Sequence, residues 1–318
     1  MTKSLICIIL LIFCTTVNIN AQQTSGIISD QPGYIKDELI YSLDNKPTPQ
    51  CHASTIEETK TGLVASWFGG TEEKNPDVGI WVSRYINNEW TKPVEVADGV
   101  QNDGTRFPCW NPVLFYTQEG VLILFYKVGP DPVNWWGMLI KSTDDGATWL
   151  KPEKLPEGFL GPIKNKPVQL ADGKIMCPSS TEDNGWKIHF EITDSKTKNW
   201  EMIKTTDDTS FFVIQPSVLF YGKDTLQALC RSKEGFITQC RSYDNGKTWG
   251  KMSNINLPNP NSGIDAVTLK NGLQLVVYNH TGMIQGRHRQ AKAKPSAATV
   301  ERRARRACSL PCATRSST

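Results

Sequence analysis

Ser142-Thr143-Asp144-Asp145-Gly146-Ala147-Thr148-Trp149 returns as Ser242-Tyr243-Asp244-Asn245-Gly246-Lys247-Thr248-Trp249. Aspartate and glycine at these places build a tight hairpin turn. The closing tryptophan is large enough to wedge that turn between neighbouring sheets. Two degenerate copies, Val82–Trp90 and Thr193–Trp200, end on the same residue. Trp90, Trp149, Trp200 and Trp249 stand 59, 51 and 49 residues apart. A period of about 50 residues is that of a propeller blade, a four-stranded antiparallel sheet.

Each unit has the same layout. A first strand is expected at Ala53–Glu57, Pro112–Tyr116, Pro167–Leu170, Ser217–Tyr221 and Ile264–Leu269. A second follows at Leu63–Phe68, Val121–Lys127, Lys174–Pro178, Thr225–Arg231 and Leu273–His280. A third, at Gly79–Arg84, Gly137–Ser142, Lys187–Thr193 and Phe236–Ser242, leads into each octapeptide or degenerate copy. The runs are short, rich in Val, Ile, Phe, Tyr and Trp, and bounded by Gly, Pro and Asp. No amphipathic helix of useful length interrupts them. A β-sandwich also yields many short strands, but the offset from strand start to closing tryptophan is nearly fixed. It is 38 residues from His52 to Trp90 and from Asn111 to Trp149, and 34 from Lys166 to Trp200 and from Gln215 to Trp249. The fold expected is an all-β propeller with four full blades and the opening of a fifth.

Met1–Asn20 has the layout of a signal peptide, with Lys3, the apolar run Leu5–Phe13 and a cleavage point at Ala21-Gln22. That run is too short to span a bilayer. Residues 1–21 are therefore expected to be a leader on a secreted or periplasmic monomer, with the propeller at 22–282. The net charge of +3 hides an asymmetry: nine of the 35 Lys/Arg but one of the 32 Asp/Glu lie from Met283 onward. Arg287–Thr318 also loses the repeat and most large apolar residues, so 283–318 is expected to be a disordered or out-of-frame tail. Such a basic tail suits nucleic acid or an anionic surface, but an out-of-frame end accounts for the same composition and no nucleic acid partner is expected. Cys51, Cys109, Cys177 and Cys230 sit in or beside the inner strands and are expected to be small buried residues rather than disulfides. No Cys/His spacing suggests zinc, and no cofactor is expected.

Propellers bind ligands at one mouth of the central channel, where innermost strands start, second strands end and second-to-third loops turn. The strand starts bring His52, Asn111, Lys166, Gln215 and Asp265 there. The second-strand ends bring Trp67, Lys127, Ser179, Arg231 and His280, with Asn279 beside it; the loops add Glu72, Asp77, Trp135 and Trp136. Two stiff polar segments, Gly161–Pro167 with Lys164 and Asn259–Asp265, enter inner strands. Lys127, Lys164, Lys166 and Arg231 suit an anionic ligand group. Trp67, Trp110, Trp135 and Trp136 offer flat apolar surfaces for a sugar ring, and His52 and Asp77 can exchange protons near neutral pH. Lys127 equally suits a strand-end side chain reaching water, Trp110 an inter-blade core residue, and His52 an ordinary buried histidine. The partner implied is a glycan carrying an acidic sugar.

The repeated octapeptides are Asp boxes, and on a propeller behind a signal peptide they resemble the sialidase, or BNR-repeat, superfamily over about Gln50 to His280. The resemblance implies a six-bladed parent. It also implies three arginines on a sialate carboxylate, a Tyr nucleophile partnered by Glu, and an Asp acid/base. In Cys51-His52-Ala53-Ser54, His52 stands where the first arginine would open the first inner strand. Asp77 lies in the loop of the acid/base, Gln215 in Ile214-Gln215-Pro216-Ser217 takes the place of a Glu, and Arg231 matches the second arginine. Histidine lacks an arginine's two-pronged grip and glutamine carries no charge, so the chain looks sialidase-like rather than a standard sialidase.

The expected function is an exported sialidase-like glycoside hydrolase that removes a terminal acidic sugar. His52, Asp77 and Gln215 take the catalytic places. Arg231, Lys127, Lys164, Lys166, Asn111, Trp67, Trp110, Asp265, Asn279 and His280 surround the substrate. Two alternatives use the same mouth. A polysaccharide lyase would take the C5 proton of a uronate with His52 while Gln215 and Asn111 neutralise its carboxylate. A glycan-binding propeller needs the aromatics and cations but no proton donor.

Overall fold

The computed structural model describes residues 35–183, 185–206 and 210–282. The leader expected at 1–21 and the tail expected at 283–318 lie outside them. The described strands all lie in one compact unit that begins at Leu39. Blade 1 comprises β1 (Gln50–Thr59), β2 (Gly62–Gly70), β3 (Gly79–Ile86), β4 (Glu89–Trp90) and β5 (Val94–Ala97), the last two both pairing with β3. Blade 2 is β6 (Cys109–Tyr116), β7 (Leu122–Val128), β8 (Trp136–Ser142) and β9 (Glu153–Lys154). Blade 3 is β10 (Val168–Gln169), β11 (Ile175–Thr181), β12 (Lys187–Thr193) and β13 (Trp200–Lys204). Blade 4 is β14 (Val213–Phe220), β15 (Leu226–Ser232), β16 (Phe236–Ser242) and β17 (Ser253–Pro258), and a two-stranded sheet follows, β18 (Asp265–Thr268) and β19 (Gln274–Val277). Each sheet is an antiparallel meander in chain order. A strand in mid-blade has another blade against each face, so β7 is buried at every position and its sequence is an apolar run broken only by Lys127 rather than an alternation.

The octapeptides close their turns with one carboxylate each. Asp144 accepts from Ser142 Oγ at 2.7 Å, Thr148 N at 2.9 Å and Thr148 Oγ1 at 2.6 Å, while Ser142 Oγ accepts from Gly146 N at 2.8 Å. Asp244 repeats the set with Ser242, Thr248 and Gly246 at the same distances. Asp145 and Asn245 take left-handed φ values of 57° and 58°, which their short polar side chains tolerate. The degenerate copy at Thr193–Trp200 keeps this logic: Asp194 accepts from Lys198 N at 3.0 Å and Asn199 Nδ2 at 2.6 Å.

Each turn then delivers its tryptophan to the blade before it. Trp249 stacks on Phe190 of blade 3 with ring centroids 3.9 Å apart and planes 12° apart. Trp200 meets Phe125 of blade 2 edge-on, and Trp149 packs on the core that blades 1 and 2 build together. The cysteines Cys109, Cys177 and Cys230 are buried free thiols within these cores, and burial pushes the pKa of all three up, keeping them protonated.

The first strands of blades 1, 2 and 4 begin three or four residues earlier than the sequence implied, at Gln50, Cys109 and Val213. The reason is a β-bulge. Pairing slips between His52 and Thr55, Trp110 and Val113, and Ile214 and Ser217. Ala53, Asn111 and Gln215 sit in the bulges with φ of 53°, 39° and 56°. Pro112 and Pro216 follow two of them. A proline has no N–H for the ladder and fits where pairing lapses, so it ended the apparent strand while the ladder resumed beyond it.

Donation from Thr148 and Thr248 leads the effects that hold the Asp144 and Asp244 carboxyls down to about 2. Unfolded Asp titrates near about 3.9. Both therefore add stability that is fully present above about pH 4 and is lost as pH falls through about 2. The double variant Asp144→Asn/Asp244→Asn is expected to be less stable at neutral pH and to lose less melting temperature between about pH 4 and 2 than the wild type. Parallel melting curves over that range would remove these carboxylates from the account of stability.

Candidate functional site

In blade 1 the loop between β2 and β3 folds tightly back. A Cβ on Gly70 would lie 2.9 Å from Val78 Cα, so only glycine allows the approach. The fold creates a shallow pocket lined by Gln50, His52, Gly69, Gly70, Glu73 and Val78. His52 is exposed there, its ring edge-on to Phe68 at 5.6 Å. Asp77 does not line this pocket. Its Oδ2 accepts from Thr71 N at 2.8 Å and from the Thr71 hydroxyl, and that hydroxyl bond is the largest cause of its lowered pKa. Thr71 thus holds Asp77 as a carboxylate at neutral pH, which does not suit it to donate a proton. Of the acids in this loop, Glu73 rather than Asp77 lines the pocket with His52. Glu73 was not singled out in the sequence because nothing in Thr71-Glu72-Glu73-Lys74 marks which acid turns inward.

Three expected ligand contacts prove to be interior. Trp67 is 0% exposed and packs with Ile40, Ala65 and Tyr41. Trp110 is 2% exposed, its indole N–H donates to Gly129 O at 2.8 Å, and its ring lies between Phe68 and Trp135. Neither presents a face to a sugar. Lys127 is fully buried and donates to Pro162 O. Burial, opposed by the charge of Glu191, lowers its amine to about 7.

Lys127 belongs to a buried clamp that the sequence did not disclose. Glu191, fully buried in β12, accepts from Leu160 N at 3.0 Å, Gly161 N at 2.7 Å and His189 Nε2 at 2.9 Å. Gly161 has φ +70°, open to glycine at little cost. The only signal was His189 and Glu191 in a strand, Lys187–Thr193, that alternates polar and apolar residues although it is buried from Ile188 onward.

The clamp fixes a strap that runs across the blades. Asn165 Nδ2 donates to Gln215 O at 2.8 Å in blade 4, and Lys164 Nζ donates to Ile264 O at 3.0 Å ahead of β18. Burial lowers the Lys164 pKa, with Asp265 opposing. Lys166 is ion-paired with Glu57 Oε2 of blade 1 at 2.8 Å, which commits it to the fold. Gln215 is nearly enclosed, and its Oε1 has no hydrogen-bond partner among the described residues. A left-handed residue before proline costs on the order of 1–3 kcal/mol and persists only where its surroundings impose it.

Beside the strap, Arg231 Nε donates to Asn261 Oδ1 at 2.9 Å and its guanidinium lies 5.1 Å from the Trp186 ring centroid. Asp265 Oδ1 accepts from Ala266 N at 2.8 Å and Ser217 Oγ at 3.3 Å. Asn279 Nδ2 donates to Ser262 Oγ at 2.9 Å, and exposed His280 bonds Tyr278 through Nδ1. Linked contacts thus bring Lys164, Gln215, Arg231 and Asp265 together across the third, fourth and last sheets, with Asn279 tied to the same Asn259–Asp265 segment. Asn111 occupies the equivalent bulge of blade 2, partly buried.

A family model for the BNR repeat-like domain matches residues 61–306. The chain belongs to that family. Among curated proteins this BNR-repeat chain is similar to a sialidase of Bacteroides fragilis (strain YCH46), at 23% identity over 259 residues, covering 74% of the chain and 43% of that protein. It thus spans less than half the length of that relative. Among solved structures it is similar to the Hadza microbial sialidase Hz136, at 14% identity, 78% and 57% coverage and a TM-score of 0.67. It is also similar to a Penicillium chrysogenum α-L-arabinanase complexed with arabinobiose, at 19% identity, 78% and 80% coverage and a TM-score of 0.56. The fold is the sialidase-type β-propeller.

Replacing Glu191 by Ala leaves Lys127 buried without its countercharge and frees the Leu160 and Gly161 amides. A loss of about 3–5 kcal/mol is expected, measured by urea unfolding. A loss below about 1 kcal/mol would show that the clamp does not hold the strap.

Proposed function

We propose that this BNR-repeat propeller is an exported, sialidase-like glycoside hydrolase that removes a terminal acidic sugar from glycans. The observation that carries this reading is the division of the mouth. Arg231 and Lys164 stand with Gln215 on one side, and His52 and Glu73 line a pocket in blade 1 on another. Arg231 spends one donor on Asn261 and keeps its terminal nitrogens for a ligand carboxylate, a charge-assisted and two-pronged contact. Lys164 has donors beyond the two its backbone and side-chain partners take. His52 supplies the proton to the leaving oxygen, and Glu73 is the carboxylate that accepts one or stabilises positive charge at the reacting carbon. Similarity to a sialidase and to an arabinanase supports a glycosidase, and the leader-like segment at 1–21 supports export.

One observation favours a lyase instead. Asn111 and Gln215, both amides, occupy matching left-handed bulges, where they would neutralise a uronate carboxylate as His52 removes the C5 proton.

The test is turnover of a sialoside and of uronate oligosaccharides, with His52→Ala and Arg231→Ala. Release of a terminal acidic sugar is expected. Arg231→Ala should lower kcat/KM about 10–100-fold, as the loss of a hydrogen bond to a charged group does, and His52→Ala about 100–10,000-fold, as the loss of general acid catalysis does. A product absorbing in the ultraviolet would move the assignment to the lyase. Binding without turnover of either substrate would leave a glycan-binding propeller. Recovery of the protein only in the cytoplasmic fraction would end the export reading.

A further inference from the structure

On the same mouth, outside the residues just assigned, blade 3 meets blade 4 in a small rim. Trp186 lies in the loop from β11 to β12, Phe212 precedes β14, and Lys233 follows β15. By the meander of each blade, all three stand at the end of the channel where Arg231 lies. Backbone bonds lock the rim: Val213 N donates to Trp186 O at 3.2 Å and Lys233 N to Phe212 O at 3.1 Å. Phe212 N donates to Glu234 Oε1 at 3.2 Å. The Lys233 amine lies 4.4 Å from the Trp186 ring centroid and 5.4 Å from that of Phe212. Arg231 approaches Trp186 as well, so one ring connects the rim to the channel.

Phe212 is the anomaly. It is 44% exposed, although its backbone is hydrogen-bonded on both sides, and a phenyl ring held in water gives up the burial that folding otherwise secures. The acids Glu234 and Glu182 offset the two cations here, so the rim is not a strongly positive patch. A rigid exposed ring beside a donor-rich ammonium matches a pyranose, which has a C–H face and a rim of oxygen acceptors.

We infer that Phe212 and Lys233 form a second sugar subsite, which takes the unit linked to the terminal sugar held at Arg231. Phe212 stacks on the C–H face of that unit and Lys233 donates to its ring substituents. The subsite rests on the glycan reading above and adds to it a preference for oligosaccharides over single sugars.

Binding is measured by calorimetry on the full chain with two matched pairs of probes: 3′-sialyllactose against N-acetylneuraminic acid, and trigalacturonate against galacturonic acid. The wild type is expected to bind the oligosaccharide of one pair at least tenfold more tightly than its monosaccharide. Phe212→Leu, which keeps apolar bulk and removes the ring, and Lys233→Gln should each abolish most of that gain and change monosaccharide affinity less than twofold. Arg231→Ala should weaken both members of the pair alike. Equal affinity for the two members in the wild type, or an unchanged gain in both rim variants, overturns the subsite while leaving the terminal-sugar reading intact. No binding of any probe by the wild type overturns both.

Discussion

The packing of one blade on the next depends on a carboxylate that collects N–H and O–H groups at the turn. Asp144 and Asp244 each gather the hydroxyl and amide of the threonine four residues on. That fixes the chain direction leaving the turn, and with it the place of the tryptophan one residue later. Trp249 can then stack on Phe190, and Trp149 can reach the core of blades 1 and 2. Without a fixed turn a large aromatic would lose its seat between the sheets, and large aromatic seats dominate apolar burial. The chemistry at the channel mouth is therefore held in place from the opposite, outer rim of each blade.

At the mouth a second kind of constraint takes over. The inner strands do not simply end: they bulge, and the bulge turns Asn111 and Gln215 out of the ladder register into left-handed conformations. Such strain needs support from several directions. For Gln215 it comes from Ser180, which accepts its N–H, and from Asn165, which donates to its carbonyl. Asn165 in turn is placed by a strap whose start is clamped by Glu191 and Lys127. Buried charge in blades 2 and 3 is thereby converted into position in blades 4 and 5.

The blades were legible because their signals are local. The octapeptide states its own turn, and strands between packed blades are mostly apolar, so period and composition were enough to place the first three strands of the blades but not the outer strands β4, β5, β9, β13 and β17. The site was legible only in part. The structure links Gln215, Arg231 and Asp265 through Lys164 and its neighbours, while His52 stands apart in a pocket of blade 1. Trp67 and Lys127 proved interior because residues near the end of a second strand can turn into a blade interface as readily as into the channel, and Trp110, near the start of a first strand, packs between Phe68 and Trp135. The bulge was hidden because Pro112 and Pro216 look like strand ends. Glu191, Glu73 and Trp186 were invisible because their partners lie 30 or more residues away or in loops where no period applies.

The distribution of titrating groups narrows what the mouth can do. Asp77 is held as an anion by Thr71, Lys166 is neutralised by Glu57, and Lys127 is enclosed. What remains for a ligand is an arginine with an outward face, a lysine with a donor to spare, and an exposed histidine in a pocket it occupies with Glu73. Burial lowers the pKa of Arg231 and of Lys164, opposed by the charges of Glu182 and Asp265 respectively. Under the proposed hydrolase reading, carboxylate binding by Arg231 and Lys164 and proton transfer by His52 fall to different blades of the same propeller.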